Sequence, residues 1–205
     1  MAFPTYGLYA ITQTENKTAD QVVEDVSAAI RGGVKIIQYR DKNPTDAYAI
    51  AQELLKICRR HNIPLLINDD IELAINIKAD GVHLGKDDSD LKIARQRLGH
   101  SSIIGVSCYN SLDRALTAQV NGATYVAFGR FFPSSSKPLA SSADIQTLHK
   151  AKQAITLPIV AIGGIMPENG GQLLEAGADL LAVIGGIFDR NPEQSARAFQ
   201  SLFKN

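Results

Sequence analysis

Eight short β-branched runs alternate with amphipathic stretches from end to end, the runs are apolar almost throughout, and a helix–turn–strand passage recurs. Together these predict an α/β fold, a single (β/α)8 TIM barrel spanning residues 1–205 as one catalytic domain. That fold usually takes ~250 residues, with ~200 at the lower end, so its loops must be short. An open doubly wound sheet is the alternative, and it usually carries a Gly-rich turn behind its first strand. Here that turn reads TQTENKT and holds no glycine.

Taken in order, strands are predicted at Gly7–Thr12, Lys35–Tyr39, Leu65–Ile67, Val82–Leu84, Ile103–Val106, Tyr125–Phe128, Ile159–Ile162 and Leu180–Ile184. A parallel sheet covered on both faces accounts for their nearly unbroken apolar character. Between them, helical patterns fall at Asp20–Arg31, Asp46–His61, Leu91–Leu98, Leu112–Asn121, Glu168–Ala176 and Glu193–Phe203, and another begins behind Asp70. In Asp20–Arg31 the apolar residues Val22, Val23, Val26, Ala29 and Ile30 recur at helical spacing. The passages RGGVKIIQYR, IKADGVHLG, NGATYVAFG and EAGADLLAVIG each run from a helix end through Gly or Ala into a strand. Gly33, Gly122 and Gly177 suit helix C-terminal positions with positive φ.

Formal net charge is zero, which points to no general nucleic-acid or membrane-surface partner. MAFPTYGLYAIT lacks a basic segment followed by a long apolar core, so no signal peptide is expected, and no apolar run reaches spanning length. Cys58 and Cys108 offer neither a disulfide framework nor a paired metal spacing, from which a cytoplasmic location is expected.

In a parallel barrel, chemistry gathers where the strands end. Strand two ends IIQYRDK, and alternation puts Gln38 and Arg40 on one face with Ile36, with Lys42 on the loop beyond. Strand three ends in Asn68-Asp69-Asp70, and strand four is followed by GKDDSD with Asp87, Asp88 and Asp90. Strand five ends at Ser107. Strand six leads into GRFFPSSSKP with Ser134, Ser135, Ser136 and Lys137, and strands seven and eight end in Gly163-Gly164 and Gly185-Gly186. Singly, each has a plainer reading. Asp69 or Asp70 could cap the helix behind them, Asp69-x-x-Glu72 resembling a capping box, Asp88 or Asp90 could cap the helix starting near Leu91, and paired glycines make tight turns. His83 falls in the outward phase if Val82 and Leu84 line the core, and is read as structural. Cys108 is read as a small packed residue. Collectively the polar residues set cations beside carboxylates at one barrel mouth. Carboxylates with a neighbouring Asn suit Mg²⁺, which commonly takes one or two carboxylates plus substrate phosphates. Arg and Lys suit the other phosphate oxygens, and the glycine ends of strands seven and eight match the usual barrel phosphate site.

Those residues carry a resemblance. The chain resembles the thiamin phosphate synthase family from YAIT to AVIGG, through Gln38-x-Arg40-x-Lys42, Asn68-Asp69-Asp70, DGVHLGKDD, GVS, FPSSSK and AIGGI in that order. The resemblance implies a transferase that joins 4-amino-2-methyl-5-hydroxymethylpyrimidine diphosphate to a thiazole phosphate, giving thiamin phosphate and pyrophosphate. It implies a dissociative course, in which pyrophosphate leaves and the thiazole nitrogen attacks the pyrimidine-methyl cation. It also implies Asp69 and Asp88 as ligands of one Mg²⁺, and Gln38, Arg40, Lys42, Asn68, Ser107 and Lys137 as contacts of the pyrimidine diphosphate. On that reaction Arg40, Lys42 and Lys137 would take the catalytic role of stabilising the departing charge. Ser134, Ser136, Gly164, Ile184 and Gly185 are implied to hold the thiazole phosphate. Asp70 is left as the cap of the following helix.

The chain departs from that family in two places. Ser134-Ser135-Ser136-Lys137 stands where Thr-x-Thr-Lys is frequent, and Ile184-Gly185 where Ile-Ser is common. Small-molecule substrates are the expected partners, and assembly into a homo-oligomer is left open. The rival readings are a thiazole tautomerase-like barrel, a sugar-phosphate epimerase and a non-catalytic binder of thiamin precursors. The loop after strand six, with Phe131, Phe132 and Pro133, is a candidate lid or a static surface loop.

Overall fold

The computed structural model describes residues 1–85, 88–133 and 142–203, with residues 88–90 described by backbone alone. The strands are β1 (Gly7–Ile11), β2 (Ile36–Tyr39), β3 (Leu65–Asn68), β4 (Gly81–Leu84), β5 (Ile103–Tyr109), β6 (Tyr125–Phe128), β7 (Ile159–Ile162) and β8 (Leu180–Val183). They close in sequence order, every pair parallel, with β1 against β8. Helices α1 (Ala19–Arg31), α2 (Ala47–Arg60), α3 (Ile71–Ile77), α4 (Asp88–Leu98), α5 (Leu112–Val120), α6 (Ile145–Ala154) and α7 (Pro167–Glu175) follow the first seven strands. The short α8 (Gly185–Phe188) and α9 (Pro192–Phe199) follow β8, and a 3-10 turn at Gln200–Phe203 follows α9.

Several helices begin where the sequence supplies caps. Thr18 and Gln21 form a reciprocal capping box on α1, and Asp46 and Ser111 cap α2 and α5. Gly33, Gly122 and Gly177 have φ of 102°, 86° and 114°, which lets each chain turn from helix into strand.

Two apolar shells share the strands. Alternate residues such as Ile37, Leu65, Val82, Ile104, Val126 and Leu181 face the helices in one continuous cluster. The other phase fills the barrel lumen with Tyr9, Ile11, Ile36, Leu66, Ile103, Tyr125, Val160 and Leu180. Burial on both faces explains why the strands read as unbroken apolar runs, and each such side chain contributes roughly 1.5–3 kcal/mol. Phe3 packs against the luminal cluster from the strand N-terminal end, its ring stacked on Tyr125 with centroids 4.2 Å apart and planes 12° apart.

At that same end two aspartates hold neighbouring strands together. Asp80, just before β4, accepts the Leu65 N–H on Oδ2 at 3.0 Å. Asp179, just before β8, accepts the Ile159 N–H in the same way at 2.9 Å. Each thereby satisfies the first donor of the preceding strand, β3 or β7.

Candidate active site

The C-terminal ends of the strands surround a cavity of about 330 Å³. Gln38, Arg40, Asn68, Asp69, Ser107, Gly164, Ile184 and Gly185 all line it. The residues singled out from the sequence on β2, β3, β5, β7 and β8 therefore meet in one space. Lys42 lies exposed on the loop between β2 and α2, outside the cavity wall. Ser134, Ser136 and Lys137 lie outside the described residues, as does the side chain of Asp88.

Arg40 is held by its backbone. Thr12, buried at the end of β1, accepts the Arg40 N–H on Oγ1 at 2.8 Å and donates to the Arg40 carbonyl at 2.9 Å. The pairing of Ile11 with Gln38 sets this register. The backbone behind the guanidinium is thus fixed while its head remains partly exposed to the cavity.

The two carboxylates of the doublet separate, and the Asp69-x-x-Glu72 capping box does not form, because the N-cap falls one residue later. Asp70 is the N-cap of α3, its Oδ1 accepting the Leu73 N–H at 2.8 Å. Asp69 adopts a left-handed conformation, φ 60°, which Asp tolerates better than most residues. That twist leaves its carboxylate exposed at the cavity, with Asn68 Nδ2 donating to Oδ2 at 2.7 Å. A Cβ added to Gly85 would stand 3.5 Å from Asp69 Oδ1, so the carboxylate overhangs the end of β4. The backbone of Asp88 begins α4 directly beyond, on the same rim. Hard carboxylate oxygens at a solvent-reachable mouth fit Mg²⁺ completed by waters and phosphate oxygens. Among the described residues no three His, Cys, Asp or Glu side chains converge to form a metal site.

His83 requires a correction. Val82 and Leu84 belong to the shell beneath the helices, so His83 takes the luminal phase. Its Nδ1 lies 2.8 Å from the Tyr125 hydroxyl and its Nε2 2.9 Å from Ser107 Oγ. The Tyr125 hydroxyl is 2.9 Å from that of Tyr9, and Gln38 Nε2 donates to Tyr9 at 2.7 Å. Burial pushes both phenols above their ordinary range, so both keep their protons. Tyr9 and His83 line the cavity, and Tyr125 joins them from below. A lone imidazole inside the apolar run GVHLG was the available sign. The apolar residues around it lie on both faces of the strand, so hydrophobicity alone gave the phase no direction.

β5 continues to Tyr109 rather than ending near Ser107, with a register irregularity between Ser107 and Tyr109. Cys108 is buried in the outer shell, its thiol toward the Val106 carbonyl at 3.7 Å. Beyond β6, Phe131 N–H bonds the Ile162 carbonyl at 3.2 Å and Phe132 N–H the Gly163 carbonyl at 3.0 Å. The first residues of the candidate lid are therefore clasped to the end of β7. Gly163 permits this approach, since a Cβ there would meet Arg130 Cα at 2.5 Å. Arg130 also lines the cavity and drew no role from the sequence.

A model of the family described as thiamine monophosphate synthase matches residues 8–187. A thiamine-phosphate synthase of Nitrosococcus oceani is 49% identical over 200 residues, covering 96% of this chain and 92% of that protein. Its counterpart from Methylobacillus flagellatus is 49% identical over 203 residues, covering 98% and 96%. Thiamine phosphate pyrophosphorylase from Pyrococcus furiosus superposes with a TM-score of 0.86 at 31% identity, covering 97% and 95%.

Proposed function

The chain belongs to the thiamine monophosphate synthase family, and we propose that it joins 4-amino-2-methyl-5-hydroxymethylpyrimidine diphosphate to a thiazole phosphate with release of pyrophosphate. The observation that carries this reading is the meeting of Gln38, Arg40, Asn68, Asp69, Ser107, Gly164, Ile184 and Gly185 around one cavity.

In the proposed reaction the exocyclic C–O bond of the pyrimidine breaks, and its electron pair leaves with pyrophosphate. The thiazole nitrogen then supplies the pair for the new C–N bond. Arg40, with Lys42 and Lys137, would balance the charge growing on the leaving group, which favours the transition state over the bound substrate. Asp69 and Asp88 would hold Mg²⁺, which when bound neutralises pyrophosphate oxygens and supplies several kcal/mol of such stabilisation. Gln38, Asn68 and Ser107 would orient the pyrimidine diphosphate. Gly164, Ile184 and Gly185, with Ser134 and Ser136, would hold the thiazole phosphate. No side chain has to act as nucleophile, so alignment of the two substrates supplies much of the remaining rate. Ile11, Ala127, Val160, Ile162 and Ala182 give the cavity an apolar wall that would keep water from the cationic carbon. Among the described residues no helix is long and apolar enough to cross a membrane, and we propose that the enzyme works in the cytoplasm on these small-molecule substrates.

The test mixes protein, Mg²⁺ and both substrates and follows thiamin phosphate and pyrophosphate. The proposal expects both products together, and their loss on chelation or on omission of the thiazole. Thiazole isomerisation without the pyrimidine would favour a tautomerase, and saturable binding without turnover a binder.

A further inference from the structure

Five side chains cross the barrel in one unbroken series: Gln38, Tyr9, Tyr125, His83 and Ser107. They come from β2, β1, β6, β4 and β5. The two ends, Gln38 and Ser107, both line the cavity. The three middle members have few ways to satisfy one another, because each phenol has a single proton and a neutral imidazole has a single N–H.

The direction of the series follows from its first bond. Gln38 Nε2 donates to the Tyr9 hydroxyl. The Tyr9 proton must then go to its other partner, the Tyr125 oxygen, since both rings are fully buried and a stranded hydroxyl would be costly. The Tyr125 proton is left for His83 Nδ1. A neutral His83 therefore carries its own proton on Nε2, which donates to Ser107 Oγ. Ser107 has accepted, so its hydroxyl proton is available to the cavity. At the opposite end, Gln38 Oε1 is not used within the series and remains an acceptor.

We propose that Tyr9, Tyr125 and His83 are positioning residues that impose one polarity on this series, fixing His83 as the Nε2–H tautomer, Ser107 as an outward donor and Gln38 as an outward acceptor. This deepens the proposed function and rests on it for what fills the cavity. A diphosphate offers only acceptors, which an outward Ser107 proton matches, and an exocyclic amine on a pyrimidine offers donors, which Gln38 Oε1 matches. The opposite polarity would set a lone pair of Ser107 against the anion and the Gln38 amide N–H against the amine.

The fold supports the series at two contacts. A Cβ on Gly105 would stand 2.0 Å from Tyr125 Cζ, so the ring occupies space that only a glycine leaves. Phe3 stacks on the same ring. Tyr125 is thereby held where its hydroxyl can reach both Tyr9 and His83.

The experiment is long-range ¹H–¹⁵N NMR of the ¹⁵N-labelled full chain near neutral pH without ligand. The His83 ring is assigned by elimination with His61→Gln, His100→Gln and His149→Gln, all at exposed positions. The expected pattern is that of the Nε2–H tautomer. A Nδ1–H pattern, or that of an imidazolium, overturns the proposal. A second variant, Gln38→Glu at alkaline pH, introduces a carboxylate that can only accept, and should move the ring proton from Nε2 to Nδ1. An unmoved tautomer in that folded variant also overturns it, and the wild-type spectrum decides if the variant does not fold. Because neither spectrum requires turnover, a failed pyrophosphate assay would count against the proposed function and leave this polarity standing.

Discussion

Gly105 on β5 faces the Tyr125 ring of β6 so closely that a Cβ at Gly105 would stand 2.0 Å from Tyr125 Cζ and 2.3 Å from its hydroxyl oxygen. A structural requirement and a functional one meet at this contact. The ring fills the lumen, and its hydroxyl belongs to the cavity network.

Gly105→Ala should destabilise the protein by about 3 kcal/mol, the upper part of the usual range for overpacking, because a ring pinned by Phe3 has little room to yield. Urea denaturation measures this. A change below about 0.5 kcal/mol would mean that the ring lies elsewhere.

If Asp69 holds Mg²⁺ as proposed, Asp69→Asn should lower turnover measured with Mg²⁺ by about a hundredfold or more, since a bound metal would supply several kcal/mol of stabilisation. The circular dichroism spectrum should be unchanged. Asn is preferred to Ala because it too accepts φ near 60°. Metal-dependent turnover near wild-type in the folded variant would remove Asp69 from the proposed metal site.

Thr12→Val keeps the shape of the side chain but removes both bonds to the Arg40 backbone. An N–H and a carbonyl lose their partner, at a cost of roughly 1–3 kcal/mol. The loosened Arg40 should lower kcat/KM for the pyrimidine diphosphate about tenfold. Unaltered steady-state kinetics would show that Arg40 needs no such anchor.

Burial, with the Asp80 carboxylate nearby, pushes the Cys58 thiol up to about 12 from an ordinary value of 9.0. Its folded pKa exceeds its unfolded one, so its contribution to stability is complete below pH 9 and is lost as the pH climbs toward 12. Cys58→Ala should flatten the alkaline fall in stability by about 1.4 kcal/mol per pH unit in that window, one proton's worth. Denaturation midpoints across the window test this, and equal slopes in both proteins would refute it.

How much of this was legible in the sequence depended on which side of a strand carried contrast. Gln38 and Arg40 could be placed because two polar residues at alternate positions declare a face. The apolar helical pattern behind the doublet calls for a cap but leaves Asp69 and Asp70 both eligible, and the fold assigns the cap to Asp70. His83, Tyr9 and Tyr125 escaped because the lumen and the helix-covered face are equally apolar, so neither stands out as the core. The extension of β5 to Tyr109 escaped for another reason: it depends on a register irregularity set by β6, a neighbour whose alignment no local pattern records. The left-handed turn at Asp69 is a backbone choice that Asp permits without requiring.

The paired clasps of Asp80 and Asp179 carry a consequence for how such a molecule can change over time. Each secures one neighbouring stave from beneath, by accepting the main-chain N–H of Leu65 or Ile159. The opposite mouth, where β strands hand over to helices, takes no part in that fastening. Segments there can lengthen, shorten or exchange their chemistry while the hoop stays shut, whereas a substitution at either clasp would loosen the vessel without touching what it contains.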